Sequence, residues 1–358
     1  MIVDIIRFLI GLSVLVFVHE LGHFLAAKRA GIKVEEFGIG FPPRIFKKKV
    51  GETVYSLNLF PIGGFVRLYG EEEDVQKDVG RAFYHKKPLA RAGVVVAGVI
   101  MNFLLAVLLF SIVSWMTGVP TGEVSGVIIS EVAENSPAKL AGIQAEDKVL
   151  SIGGQEIKKS DEFINKVNEN RGKEIEIALQ NNKGEKRVVK VTPREKNPNK
   201  DEGALGVSMV EELILAKPPL RDRPFVSLKE GLRMTREWVL LTIGGLRTIL
   251  TQVFQGSLPT DVSGPVGIYR IATEAAKYGI VPLLTLWGIL SVNLAILNIA
   301  PFPALDGGRL VFIIAEAIFG RRVHAKVEHF LNLMGLGLLI LFLIWVTKQD
   351  VLRILKGV

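Results

Sequence analysis

The sequence predicts a polytopic α-helical membrane protein with four transmembrane helices and a soluble α+β insertion. Hydrophobic residues make up 49% of the 358-residue chain, which is high for a soluble protein. Four apolar runs, at residues 5–27, 92–117, 280–304 and 330–347, each have about the length needed to cross a hydrocarbon core of roughly 30 Å. Residues 118–279, between the second and third runs, are instead rich in Glu, Lys, Asn and Gly.

The first run carries His19-Glu20-Leu21-Gly22-His23. Residues four apart share one helix face, so both imidazoles can be directed at one Zn²⁺. Glu20 then lies beside the metal, where its carboxylate can serve as general base towards the attacking water. Ionisable groups inside a transmembrane segment are functional candidates. No small-residue cleavage site follows this run, so it is expected to stay on the protein as a span.

The formal net charge is +8. Its basic residues crowd into short loops beside the spans: Lys28, Arg29, Lys33, Arg44, Lys47, Lys48, Lys49, Lys86, Lys87 and Arg91 in one, Arg309, Arg321, Arg322 and Lys326 in another. Positive-inside bias accounts for this better than nucleic-acid binding, and it places both loops in the cytoplasm. Both termini and the soluble insertion then lie outside, in a multi-pass protein of the cytoplasmic membrane. Trp115 and Trp345 fall near span ends on the outer side, where interfacial aromatics gather. The chain has no cysteine, which removes disulfide and thiol chemistry.

Within the insertion, Gly126–Ile129 and Asp147–Ile152 read as strands, Glu134–Ala138 opens a short helix, and Ser160–Phe163 starts a second one. Glu174–Leu179 and Lys186–Thr192 alternate as a hairpin around Asn182-Lys183-Gly184. The order Ser136-Pro137-Ala138, Ala141-Gly142-Ile143, Asp147 and Ile152-Gly153-Gly154 resembles a PDZ domain, expected over 118–196. Such domains take up an extended chain by strand addition; a spacer or size filter is the competing role. A Gly-Leu-Gly-Phe-type carboxylate loop is not found around Ser125–Ile128. Residues 197–279 are expected to form a linker and an amphipathic helix on the membrane surface, with Leu228, Leu232, Trp238, Leu241, Leu246 and Ile249 interleaved with Lys229, Arg233, Arg236 and Arg247.

The third run ends in Asn298-Ile299-Ala300-Pro301-Phe302-Pro303-Ala304-Leu305-Asp306-Gly307-Gly308. By topology Asp306 lies at the same membrane depth as His19 and His23, so the three can form a His₂Asp site with one position left for water. The competing role for Asp306 is a helix cap. Pro301 and Pro303 break the helix, and backbone exposed there must line protein or a water cavity.

With these motifs the chain resembles the bacterial site-2 proteases, intramembrane zinc metalloproteases that include sigma-factor-activating enzymes, in a form with a single PDZ domain. The resemblance runs over essentially the whole chain. It rests on His19–His23, Phe60-Pro61-Ile62-Gly63-Gly64-Phe65-Val66, Gly98-Val99-Ile100-Met101-Asn102, Ser263-Gly264-Pro265-Val266-Gly267, and Asn298 through Gly307. It implies hydrolysis within or near transmembrane segments of single-span proteins, such as anti-sigma factors or remnant signal peptides. It also implies that Phe60–Leu68 belongs to a membrane-associated β-hairpin, in which Gly63, Gly64 and Phe65 meet substrate. The runs Thr53–Leu57 and Gly64–Leu68, separated by Pro-Ile-Gly, are expected to be its two strands. Asn293 and Asn298 are implied in substrate binding or oxyanion support, with interhelical hydrogen bonding as the alternative; Asn102 has no assigned role. His85, His324 and His329 are read as structural or solvated. Two other functions compete: an inactive relative that binds membrane segments, and a metal transporter. The intact Glu20 and ligand set argue against the first, and the scarcity of charge elsewhere in the spans against the second.

Overall fold

The computed structural model describes residues 2–71, 77–198, 202–256, 262–323 and 325–356. His324 therefore lies outside the described residues. The chain divides into two compact units, residues 1–116 with 219–358 and residues 117–218.

The first unit begins with helix α1, Ile2–Arg29, which has Asp4 in its first turn and Lys28 and Arg29 in its last, signs that suit the helix dipole. A long ribbon follows, β1 (Val34–Val50) and β2 (Thr53–Leu68), paired antiparallel. The ribbon doubles back on itself. Phe37 has both Val66 and Tyr55 as partners, Gly38 both Phe65 and Ser56, and Ile39 both Gly64 and Leu57. Thr53–Leu57 and Gly64–Leu68 are thus not the two arms of one hairpin, as the sequence suggested. Both flank the same stretch of β1, because Phe60–Gly63 continues the extended strand rather than closing a tight turn. Buried Glu36 ties the ribbon together, accepting hydrogen bonds from Ser56 (2.6 Å) and Arg44 (2.7 Å). Helix α2, Pro88–Thr117, then opens on a proline, whose missing N–H costs nothing at a first turn.

The second unit is one six-stranded sheet with two helices. Its elements are β3 (Val119–Val132), α3 (Pro137–Leu140), β4 (Lys148–Ile152), β5 (Gln155–Glu156), α4 (Ser160–Glu169), β6 (Ile175–Gln180), β7 (Lys186–Val191) and β8 (Val207–Ala216). The strand order is β7-β6-β4-β3-β8, with β5 beside β4. Alternate residues Ile175, Ile177 and Leu179 of β6 point into a core shared with Val127, Phe163 and Leu205. The sequence reading ended this domain at residue 196, but Val207–Ala216 pairs with β3 from Val119↔Ala216 to Val132↔Val207. Its irregular burial hid it: an edge strand with one covered neighbour lacks a clean alternation.

The chain returns to the first unit with α5 (Arg223–Phe254), α6 (Pro265–Lys277), α7 (Ile280–Ile299), α8 (Asp306–Phe319) and α9 (Ala325–Lys356). Among the described residues, four helices are long and apolar enough to cross a membrane: Val3–Arg29, Pro88–Thr117, Ile280–Ile299 and Val327–Leu355. The third stops at Ile299 rather than at residue 304, since Pro301 and Pro303 cannot continue a helix. Small residues bring these helices together. A Cβ on Gly22 would stand 2.4 Å from the Ala97 carbonyl of α2, and one on Gly11 only 2.0 Å from the Trp287 ring of α7. Helix α5 is packed along one face, with Met234, Trp238 and Leu246 against a core of Ala106, Phe110, Val292 and Ile296. Leu205 in the second unit is 2% exposed, so Leu205→Ala should destabilise the separately expressed 117–218 segment by about 2–4 kcal/mol in urea unfolding. A change below about 0.5 kcal/mol would mean the Gly203–Gly206 loop is not part of that core.

Candidate metal centre

His19 and His23 lie one turn apart on the same face of α1, their rings edge to face with centroids 4.7 Å apart. Their Nε2 atoms are 3.1 Å apart. Asp306, the first residue of α8, brings its Oδ2 to 2.9 Å from His19 Nε2 and 3.1 Å from His23 Nε2. Ligands of a tetrahedral zinc at about 2.0–2.1 Å stand roughly 3.3 Å from one another, so a slight outward shift accommodates one small cation. Among the described residues this is the one group of three such side chains able to hold a metal. The chemistry of the set fits zinc, two borderline nitrogens and one carboxylate with room for a fourth ligand.

His23 and Asp306 are positioned by backbone. His23 donates its Nδ1–H to the Val94 carbonyl of α2 at 2.9 Å, which leaves the Nε2 lone pair facing the trio. Asp306 is held by the irregular segment before it. A Cβ on Gly307 would lie 2.1 Å from the Ala300 carbonyl, and one on Gly308 2.4 Å from that of Phe302, so only glycines allow α8 to start so close. Gly335 of α9 meets the Pro303 carbonyl in the same way, at 2.4 Å. Gly98 faces the imidazoles themselves: its Cβ would stand 2.5 Å from His23 Nε2 and 2.8 Å from His19 Cε1.

Beside the trio lies a cavity of about 190 Å³, lined by Glu20, His23, Phe65, Glu71, Asp306 and Arg309 among others. Gly64 approaches Glu20 closely, its Cβ position 3.5 Å from Glu20 Cγ. Asn298 sets its Nδ2 3.3 Å from His19 Nε2. Glu20, Gly64, Phe65 and Asn298 therefore gather around the three ligands. Asn293 does not: its Oδ1 accepts from Thr242 of α5 at 2.7 Å, the interhelical hydrogen bond that was the alternative reading. Gly63 packs on the Phe41 ring, its Cβ position 2.8 Å from it. Sequence reasoning missed Gly98, Val94 and the Arg309–Glu71 ion pair. The four-residue spacing of Gly98 and Asn102 on α2 carried a signal for the first, but a backbone carbonyl has none.

The second unit has its own groove, about 250 Å³, between α4 and β8. Phe163, Ile164, Val167 and Met209 line it, with Gly203–Gly206 at one end. Strand β8 pairs with β3 on one side and is the last strand of the sheet. The loop Gly203–Gly206 leads directly into that edge strand. Gly206 has φ +72°, and a Cβ there would meet Ser136 at 2.4 Å. At the metal centre, Gly98→Ala should displace both imidazoles and lower bound zinc per chain at least tenfold at limiting zinc, with helix content unchanged by circular dichroism. Native zinc content in the variant would show that the rings tolerate the extra methyl.

Comparison with known proteins places the chain among relatives. The family model Peptidase family M50 matches residues 7–342. The zinc metalloprotease RasP of Geobacillus kaustophilus is 31% identical, with 97% of each chain covered. RasP of Bacillus licheniformis is 30% identical over 98% of this chain and 99% of its own. A Clostridium perfringens relative reaches 36% identity over 348 residues, 97% of this chain and 98% of that one. Among solved structures, the PDZ domain of a Listeria monocytogenes SdrC-like protein aligns with 24% of this chain and 87% of its own, at 23% identity and a TM-score of 0.21. The full-length match to the family model, and relatives above 30% identity along nearly the entire chain, establish that this membrane protein belongs to Peptidase family M50, the site-2 protease family.

Proposed function

We propose that the chain is a zinc-dependent intramembrane peptidase that hydrolyses peptide bonds in or next to the transmembrane segment of single-span proteins. Anti-sigma factors and remnant signal peptides are the expected substrate classes. The carrying observation is the convergence of His19, His23 and Asp306 within 4.8 Å of one another on helices with apolar outer faces, with Glu20 on the adjoining cavity. His19, His23 and Asp306 would hold the ion. Zinc, when bound there, supplies a Lewis acid that lowers the pKa of water towards about 7 and polarises a carbonyl.

The rest of the chemistry belongs to the chain. Glu20 takes the proton from the attacking water and returns it to the leaving amine, from one carboxylate on the cavity wall. The Asn298 amide can donate a hydrogen bond where negative charge develops on the carbonyl oxygen. A substrate helix hides its peptide bonds, so it must be extended before it is cut. Gly64–Leu68 has its partners in β1 along one side, and an unwound substrate can pair along the other, replacing the helical hydrogen bonds it gives up. Gly64 and Phe65 then act by placing that strand beside Glu20.

The insertion acts as a PDZ domain on the extracytoplasmic side, receiving an extended segment along β8 or excluding substrates with large outer domains. Its support is the open edge of β8 beside the apolar α4 groove. The metal centre lies towards the cytoplasmic side, supported by the basic residues of the 28–91 loop and of Arg309, Arg321 and Arg322. Glu20→Gln should lower cleavage of a single-span substrate in liposomes by about 10²–10⁴-fold while zinc content stays native; wild-type turnover by that variant would sink the assignment of the base. Deleting residues 119–216 should change the relative rates on substrates with long and short outer domains more than the rate on a bare transmembrane peptide. An unaltered ratio would reject the selecting role.

A further inference from the structure

Asn102 is fully buried on α2, and the metal-centre chemistry described so far makes no use of it. As placed, its carboxamide Nδ2 lies 3.4 Å from His19 Nδ1, the ring nitrogen that faces away from Asp306. The other end has no hydrogen-bond partner among the described residues. Only His19 therefore decides which way the amide points, since its oxygen and nitrogen are alike in shape. A neutral imidazole has one donor nitrogen and one acceptor. Were the amide to donate to Nδ1, Nε2 would have to carry the hydrogen, and no lone pair would face Asp306 and the metal. The opposite orientation removes that conflict.

We propose that Asn102 is a positioning residue of the metal centre, its carboxamide oxygen accepting the Nδ1–H of His19 so that the Nε2 lone pair faces the ion. This rests on the reading of His19 as a ligand. Helix α2 then anchors both imidazoles by the same device. His23 gives its Nδ1–H to the Val94 carbonyl, and His19, one turn earlier on α1, gives its own to Asn102, two turns later on α2. Gly98 stands midway between these anchors and leaves room for the rings. The backbone of Asn102 is itself fixed, because its carbonyl accepts from Ser291 Oγ of α7 at 2.8 Å. The spacing Val94, Gly98, Asn102 thus places two acceptors and a gap on one face of α2.

The test is zinc affinity of the full-length protein in detergent, measured by competition with a chromophoric chelator. Asn102→Leu, which removes both polar atoms, should weaken zinc binding by about 10–100-fold, the usual consequence of losing a partner of a metal-bound histidine. Asn102→Asp, which can only accept, should stay within about threefold of native. Thermal unfolding of the zinc-free proteins checks that each variant folds; if Asn102→Asp does not, Asn102→Thr, whose hydroxyl also accepts, takes its place with the same expected rank. Zinc affinity of Asn102→Leu within about threefold of native overturns the proposal, as does an acceptor-bearing variant weakened as much as Asn102→Leu. His19→Ala separates the two levels of the argument. If it binds zinc like the native protein, the ligand reading itself has failed, and the role of Asn102 falls with it.

Discussion

Two imidazoles and a carboxylate meet inside a bundle whose outer faces are apolar, and the rest of the first unit is arranged around that meeting. Polar groups at such a depth are expensive unless they are paired. Here each has a partner: His23 has Val94, His19 has Asn102, and Asp306 has both rings. The pairing tolerates little displacement. Three glycines, Gly22, Gly98 and Gly307, sit where any side chain would collide with a carbonyl or an imidazole. In a membrane, where the hydrophobic effect does not press helices together, such close approach is what dispersion and hydrogen bonding need.

The ribbon of β1 and β2 brings a second kind of structure to the same place. It carries Phe41, Ile45, Phe46, Leu59 and Phe60, each at least half exposed. It also sets Gly64, opposite Ile39, against Glu20. A single strand that turns back on its partner therefore links a surface rich in apolar side chains to Glu20. Helices alone could not do this, because their backbone hydrogen bonds are already spent within the helix.

Much of this was legible in the residues. Spans of a fixed length and a His-Glu-Leu-Gly-His motif obey local rules, so four apolar helices and two imidazoles on one face could be read directly. Asp306 needed only topology and membrane depth. What escaped reading depends on contacts between segments distant in sequence. The doubled register of β1, the pairing of Val207–Ala216 with β3, and the Asn293–Thr242 bond leave no period in the chain.

The break between α7 and α8 has a consequence for the supply of the second reactant. The peptide groups from Ala300 to Ala304 belong to no helix, yet they follow an apolar span, and carbonyls that lack helical partners attract water. The Arg309–Glu71 ion pair lines the cavity shared with Glu20 and Asp306. Hydrolysis consumes a water molecule at each turnover, and hydrocarbon dissolves almost none. The break that ends the third span also sets Asp306 on that cavity, so on the proposed reading the attacking water reaches Glu20 from a space lined by the protein rather than from the bilayer.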